Sequence, residues 1–230
     1  MKSYFLTGTD TGVGKTTITA ALAFSLRRRG IDVGVMKPLA TGDFSGKGFK
    51  SEDVALLHAA AGVMDAEDVI NPIFLPVPAS PYDASKILNV GIDMDVVFER
   101  FKLLMQSHQM VLVEGIGGIM TPITRNFFVA DMIQRMEIET IIVTRSTLGT
   151  LNHTVMTAEM CKKYGIQVKG LVVNAFGEKG GPEEKNAAET LGEVTGLEVL
   201  GRIPFVRDYG NTELMADTVE ENLNLDKLIS

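Results

Sequence analysis

Short apolar runs alternate along the chain with stretches whose apolar residues recur at helical spacing. Runs at 4–7, 33–36, 110–114, 140–144, 168–173 and 199–203 predict strands, and periodic stretches at 15–29, 52–61, 93–107, 152–164, 183–195 and 212–222 predict helices. The runs "VLV", "TIIVT" and "GLVVN" are continuously apolar, which suits strands buried on both faces. Strand, helix, strand repetition predicts an α/β fold with a mostly parallel sheet, right-handed crossovers and helices on both faces. Ligands of such sheets gather outside the carboxyl ends of the strands. The residues that follow each apolar run are therefore the first place to look for chemistry.

After the first run comes "GTDTGVGKTT" at 8–17. The phosphate-binding loop has glycine, four residues, Gly-Lys and then Ser or Thr. Counting back from Gly14 and Lys15 puts Thr9 where the first glycine belongs, with Gly8 one place early. The core Gly12, Val13, Gly14, Lys15, Thr16 is intact, and Thr17 follows it. Gly12 and Gly14 let backbone N–H groups point inward, and with a helix N-terminus these bind an anion. Lys15 then reaches the β- and γ-phosphates and Thr16 offers its hydroxyl to Mg²⁺. A flexible glycine turn is the weaker reading, since Gly-Lys-Thr falls where the strand gives way to the helical pattern. The expected architecture is a P-loop NTPase-like α/β domain.

Other strand ends carry polar residues as well. Lys37 follows "VGVM", Glu114 follows "MVLV" and opens "EGIGG", and Asn174 follows "GLVV". Pro38 restricts Lys37 to extended backbone, so the lysine projects over the sheet edge. Glu114 stands where nucleotide hydrolases hold or orient Mg²⁺. The glycines after it, Gly117 among them, permit close approach of backbone to ligand. Asp53 is less telling: Ser51 is placed to cap the helix, and a carboxylate in the first turn is favoured there in any case.

Composition narrows the function classes. A chain of 230 residues with 45% apolar content is expected to form a single domain over 1–230. A net charge of −7 argues against nucleic acid, and the one basic run, "RRR" at 27–29, ends a predicted helix just before Gly30, where cations are favoured. One cysteine, Cys161, excludes an internal disulfide framework and suits a reducing cytoplasm. No basic-plus-apolar leader and no run near 18 apolar residues is present, so a membrane partner is not expected. His58, His108 and His153 lack ligand-like spacing and read as surface or packing residues.

Taken together, "GTDTGVGKT", "KPLATG", "SEDVALL", "NPIFLPVPASP", "VLVEGIGG", "LGTLNHTVMTAE", "VVNAF" and "GRIPF" resemble the dethiobiotin synthases along most of the chain. The Gly8-Thr9 variant is typical of that family. The resemblance implies closure of a ureido ring from 7,8-diaminononanoate, CO₂ and ATP. It implies Lys15, Lys37 and Thr11 at the reacting groups, and Gly12, Val13, Gly14, Lys15, Thr16, Thr17, Asn174 and Pro204 around the nucleotide. It further implies Thr11, Lys37, Thr41 and Gly117 at the substrate, joined by Gly149, Thr150, Leu151 and Asn152 from a neighbouring subunit of a homodimer. Thr16, Asp53 and Glu114 are the implied Mg²⁺ oxygens.

Three positions depart from the family pattern: Gly12 where some members have glutamate, Tyr82 where histidine is frequent, and Ala175 where aspartate occurs. Rival readings are a partition or septum-positioning ATPase, a cobyrinic-acid-type amide synthetase, and a relative acting on another small amine or acid. The first needs a second lysine four residues before Gly14, where this chain has Asp10. The second needs a nucleophilic cysteine, whereas Cys161 lies in a predicted helix and reads as a packed residue.

Overall fold

The computed structural model describes residues 2–44, 48–174 and 182–229, the side chains of 182–185 excepted. Its strands are β1 (Tyr4–Gly8), β2 (Val33–Met36), β3 (Leu39–Thr41), β4 (Ile73–Leu75), β5 (Met110–Gly118), β6 (Pro122–Thr124), β7 (Phe127–Phe128), β8 (Glu139–Arg145), β9 (Val168–Asn174) and β10 (Val199–Ile203). The helices are α1 (Lys15–Arg28), α2 (Glu52–Ala61), α3 (Glu67–Ile70), α4 (Pro81–Leu88), α5 (Met94–Ser107), α6 (Val129–Met136), α7 (Thr150–Lys163), α8 (Pro182–Thr195), α9 (Thr212–Asn222) and α10 (Asp226–Ile229).

Among the described residues, six strands form one parallel sheet in the order β10-β9-β8-β1-β5-β2. The alternation of side chains along each strand divides the core into two layers. Tyr4, Leu6 and Leu112 pack with α1, α2 and α9 on one face. Phe5, Val111 and Val113 pack with α5, α6 and α7 on the other. The predicted α/β architecture is thus observed, with helices on both faces.

Several boundaries differ from the sequence reading. Strand β5 continues past Glu114 to Gly118, because pairing with β1 resumes at Gly118 opposite Gly8 after an irregularity in which Gly117 takes a left-handed φ of 61°. A side chain at Gly115 would meet the Phe5 ring at 2.7 Å, so this glycine answers to packing as much as to any ligand. Helix α7 begins at Thr150, two residues early, from a left-handed Gly149. Ser51 sits at the α2 N-cap position, yet its hydroxyl makes no cap hydrogen bond. Glu52 and Asp53 in the first turn supply the negative charge that the helix start favours.

The elements that the periodicity left unassigned are short. Strands β3 and β4 form a separate parallel pair, and α4 and α6 each span 8 residues. Both helices carry start signals nonetheless: Ser80 accepts from the Asp83 N–H ahead of Pro81, and Asp131 accepts from the Phe128 N–H. The "RRR" run does end α1, with Gly30 left-handed after it. Arg28 is paired to Asp217 and Glu220 of α9.

His108 does more than fill space. Its ring bridges Asp32 (2.8 Å) and Asp65 (3.0 Å), joining the end of α5 to the start of β2 and to the loop after α2. Burial lowers its proton affinity, but the two aspartates outweigh that and hold it above the usual 6.5. A raised folded value means that the clamp stabilises fully below about pH 6.5 and that its contribution is lost as pH climbs through the higher folded value. His108→Gln should flatten the fall in stability above about pH 6.5, followed as urea midpoints across a pH series. An unchanged slope would show that the ring is not the titrating clamp.

Candidate active site

The carboxyl ends of β1, β2, β5 and β9 open onto a cleft of about 620 Å³. Thr11, Gly12, Gly14, Lys15, Thr16, Thr17, Lys37, Thr41, Asp53, Glu114, Gly117, Asn174 and Pro204 line it together. Lys15 and Lys37 therefore line one cavity.

The loop between β1 and α1 explains its own unusual start. Gly12 and Gly14 both take positive φ (71° and 97°), which an L side chain disfavours. Lys15 folds back over Gly8 and donates to the Asp10 carbonyl at 3.0 Å. A side chain at Gly8 would stand 2.7 Å from that ammonium and 2.9 Å from the fixed Asp10 carbonyl oxygen, which is why glycine is needed one place early. Thr9 ties the loop to β8: its N–H donates to the Val143 carbonyl (3.1 Å) and its hydroxyl pairs with that of Thr144 (3.2 Å). Val13 is buried, and its carbonyl receives the Asn174 amide at 3.0 Å.

At the cleft floor a charged cluster is built from four elements. Lys37 Nζ lies 2.5 Å from Glu114 Oε1 and 3.0 Å from Asp53 Oδ2. Thr16 donates to the same Glu114 oxygen at 2.8 Å. Glu114 and Lys37 are 1% and 4% exposed, so each charge is compensated almost wholly by protein. Glu114 Oε2 is buried with no hydrogen-bond partner. Hydroxyl and carboxylate oxygens with one acceptor to spare are the donor set a hard divalent cation takes, so Thr16, Asp53 and Glu114 fit Mg²⁺.

Burial and the neighbouring Lys37 push the Lys15 ammonium from 10.5 down to about 8, against the pull of Glu114, Asp53 and Asp10. Burial opposes charge on Lys37 and Asp53 too, but their mutual contact and that with Glu114 or Thr16 keep Lys37 raised and Asp53 lowered. Burial pushes the Glu114 carboxyl up while Lys37 opposes the shift.

Not every predicted residue joins this cleft. Gly149, Thr150, Leu151 and Asn152 lie at the start of α7 and do not line it within this chain. Tyr82 sits on α4 beneath the Lys86 ammonium, 3.6 Å from the ring centre, and Ala175 falls outside the described residues. At Gly12 the space above the loop belongs to Arg145, which donates to the Thr11 carbonyl at 3.2 Å; a side chain at 12 would come within 2.9 Å of that guanidinium.

Two supporting residues escaped the sequence reading. Asn71 donates to the Lys37 carbonyl at 2.6 Å, and the Lys37 N–H donates to the Ile70 carbonyl at 2.8 Å, so the lysine's backbone is held on both sides. Its local signal was only an Asn-Pro pair. Arg145 ends β8 opposite Asn174, and no local motif marked it.

Comparison with known proteins shows the family and the fold. A family described as an AAA domain matches residues 2–213. Relatives named ATP-dependent dethiobiotin synthetase BioD include one from Nitrosopumilus maritimus, 50% identical over 100% of both chains. Another, from Thermodesulfovibrio yellowstonii, is 38% identical over 99% of this chain and 98% of its own. The chain belongs to the dethiobiotin synthetase family. Among solved structures, a ParA family ATPase from Chlorobium tepidum aligns with TM-score 0.59 at 19% identity, over 96% of this chain and 90% of that one. The MinD cell division protein of Aquifex aeolicus aligns with TM-score 0.58 at 17% identity, over 96% of each. At such identities the likeness shows a shared fold alone, that of P-loop ATPases.

The lowered Lys15 gives a family member of this kind a measurable signature. A triphosphate against the ammonium favours its charged form, so nucleotide binding near pH 8.5 should draw in a substantial fraction of one proton, and far less near pH 7. Calorimetry in buffers of different ionisation enthalpy measures the uptake. Equal uptake at both pH values would rule out Lys15 as its source.

Proposed function

We propose that the cleft carries out ATP-dependent dethiobiotin synthesis, with one α/β domain spanning 1–230 and a homodimer as the active unit. The observation that carries this reading is the meeting of Lys15, Lys37, Thr16, Asp53 and Glu114 at one cleft, in a chain that matches the family end to end. The reaction asks mainly that anions be held together and that spreading negative charge be stabilised.

One amine of 7,8-diaminononanoate adds to CO₂ and loses a proton, giving a carbamate. A carbamate oxygen attacks the γ-phosphorus of ATP, and the bond to ADP breaks. The second amine then attacks the carbonyl carbon of the mixed anhydride, loses a proton and expels phosphate, closing the ureido ring. Lys15 and the inward N–H groups of 12–17 bind the phosphates; Lys37 neutralises the carbamate and the γ-phosphoryl group as they approach. Thr11, Thr41 and Gly117 contact the substrate, while Asn174 and Pro204 flank the base. Among the ionisable residues lining the cleft, two lysines face the carboxylates of Glu52, Asp53 and Glu114. A polyanion entering so acidic a cleft needs an added cation. Mg²⁺ held by Thr16, Asp53 and Glu114 would supply that neutralising charge.

The dimer has its own support. Leu148, Leu151 and Met156 are exposed apolar residues around Gly149, with Leu148 at 92% exposure. Lent to a neighbour, 149–152 would complete that neighbour's site.

Incubating the protein with Mg-ATP, bicarbonate and 7,8-diaminononanoate should yield dethiobiotin by mass. Lys37→Ala should lower turnover by about 100-fold or more while nucleotide binding persists; normal turnover would remove the role given to Lys37. A switch of the partition type would instead show nucleotide-dependent binding to DNA or lipid and no product. If 149–152 acts across the interface, mixing inactive Lys37→Ala and Asn152→Ala proteins should restore part of the activity. No restoration after subunit exchange would argue against a shared site.

A further inference from the structure

Resting on the reading of Thr16, Asp53 and Glu114 as metal oxygens, we infer that the Lys37 ammonium and a divalent cation are alternative occupants of one cation position. The metal consequently enters with the nucleotide and not before it.

The geometry is one of mutual exclusion. Glu114 Oε1 already accepts from Lys37 at 2.5 Å and from Thr16 at 2.8 Å, and Asp53 Oδ2 accepts from Lys37 at 3.0 Å. A Mg²⁺ ion binds oxygen at about 2.0–2.1 Å. On these same oxygens it would press against the ammonium in a buried setting, where like charges repel strongly. Two carboxylate oxygens lie outside these contacts: Glu114 Oε2 is enclosed and without a partner, and Asp53 Oδ1 belongs to a carboxylate that Lys37 already holds, so neither makes a metal site alone. Lys37 therefore acts as a placeholder, keeping a buried carboxylate neutralised while the cleft holds no nucleotide.

Only the side chain is free to leave. The Lys37 backbone is fixed by the Ile70 carbonyl and the Asn71 amide, and Pro38 restricts the backbone beside it. Lys37 lines the cleft, so a swing of its four-carbon arm brings the ammonium toward whatever anion enters. A triphosphate does both things required: it offers Lys37 a new partner and delivers a cation to the carboxylates. The same exchange that admits the metal arms the lysine for the reacting anions.

The probe is Mn²⁺ alone, counted by the electron paramagnetic signal of the free ion. Wild-type protein should bind it weakly at the carboxylate site, whereas Lys37→Met should bind at least about tenfold more tightly without nucleotide. That gain should vanish when Asp53→Asn is added. Lys37→Arg should exclude the ion as wild type does, and a non-hydrolysable triphosphate should bring wild type level with Lys37→Met. Equal Mn²⁺ affinity of wild type and Lys37→Met overturns the inference. A Lys37→Met protein that folds only with Mn²⁺ supports it, read as a thermal shift larger than that of wild type. Should that variant fold under neither condition, wild type decides. An Asp53-dependent Mn²⁺ site as tight without triphosphate as with it refutes the exchange, and one seen only with triphosphate supports it. None of these readouts uses dethiobiotin formation, so failure of the assigned reaction and failure of the exchange are told apart.

Discussion

The contact between Lys37 and Glu114 governs how the rest of the cleft is built. A carboxylate on a central strand, 1% exposed, is tolerable only if a cation meets it. That demand fixes the path after β2, where the chain bends at Pro38 and the short β3–β4 pair, with Asn71, holds it in place. It also brings the starts of α1 and α2 to the same point, because Thr16 and Asp53 complete the cluster. An apolar filling of the same volume would cost less desolvation but bind no anion or cation. The burial of so many charges is therefore an argument for chemistry over stability.

Most of this architecture was legible in residue order. The six strands of the main sheet announce themselves as continuous apolar runs because both faces are covered, and the long helices show their stripe for the opposite reason. What stayed hidden was short: β3, β4, α4 and α6 are too brief for a period to register, and their start signals needed a helix to attach to. The site divides along a similar line. Lys15 and Thr16 sit in one contiguous motif, and Lys37, Glu114 and Asn174 each close an apolar run. Asp53 carried no signal beyond a helix start, and the resemblance alone singled it out. Asn71 and Arg145 act by gripping backbone, a task that leaves no residue pattern nearby.

The loop at 8–17 shows why a consensus departure need not be a loss. Position 8 takes glycine because the Asp10 carbonyl, Val13 and the returning Lys15 leave no room for a side chain there. Thr9 then gains a task that a glycine cannot perform, a side-chain link to β8. Gly12 likewise keeps room for the Arg145 guanidinium. Each substitution is paired with a neighbour that makes it fit, so the loop reads as a consistent variant and its anion-binding backbone is retained.

That link to β8 has a further reach. Thr144 stands at a junction: its hydroxyl meets those of Thr9 (3.2 Å), Thr150 (2.7 Å) and Thr154 (2.8 Å). Thr150 also donates to the Arg145 carbonyl at 2.6 Å. The phosphate loop and the first turn of α7 are thereby tied through one buried hydroxyl cluster. In the proposed dimer, 149–152 serves the neighbouring cleft while the loop serves its own. In that arrangement the loop and the lent segment would share one hydrogen-bonded cluster, centred on Thr144, within each subunit.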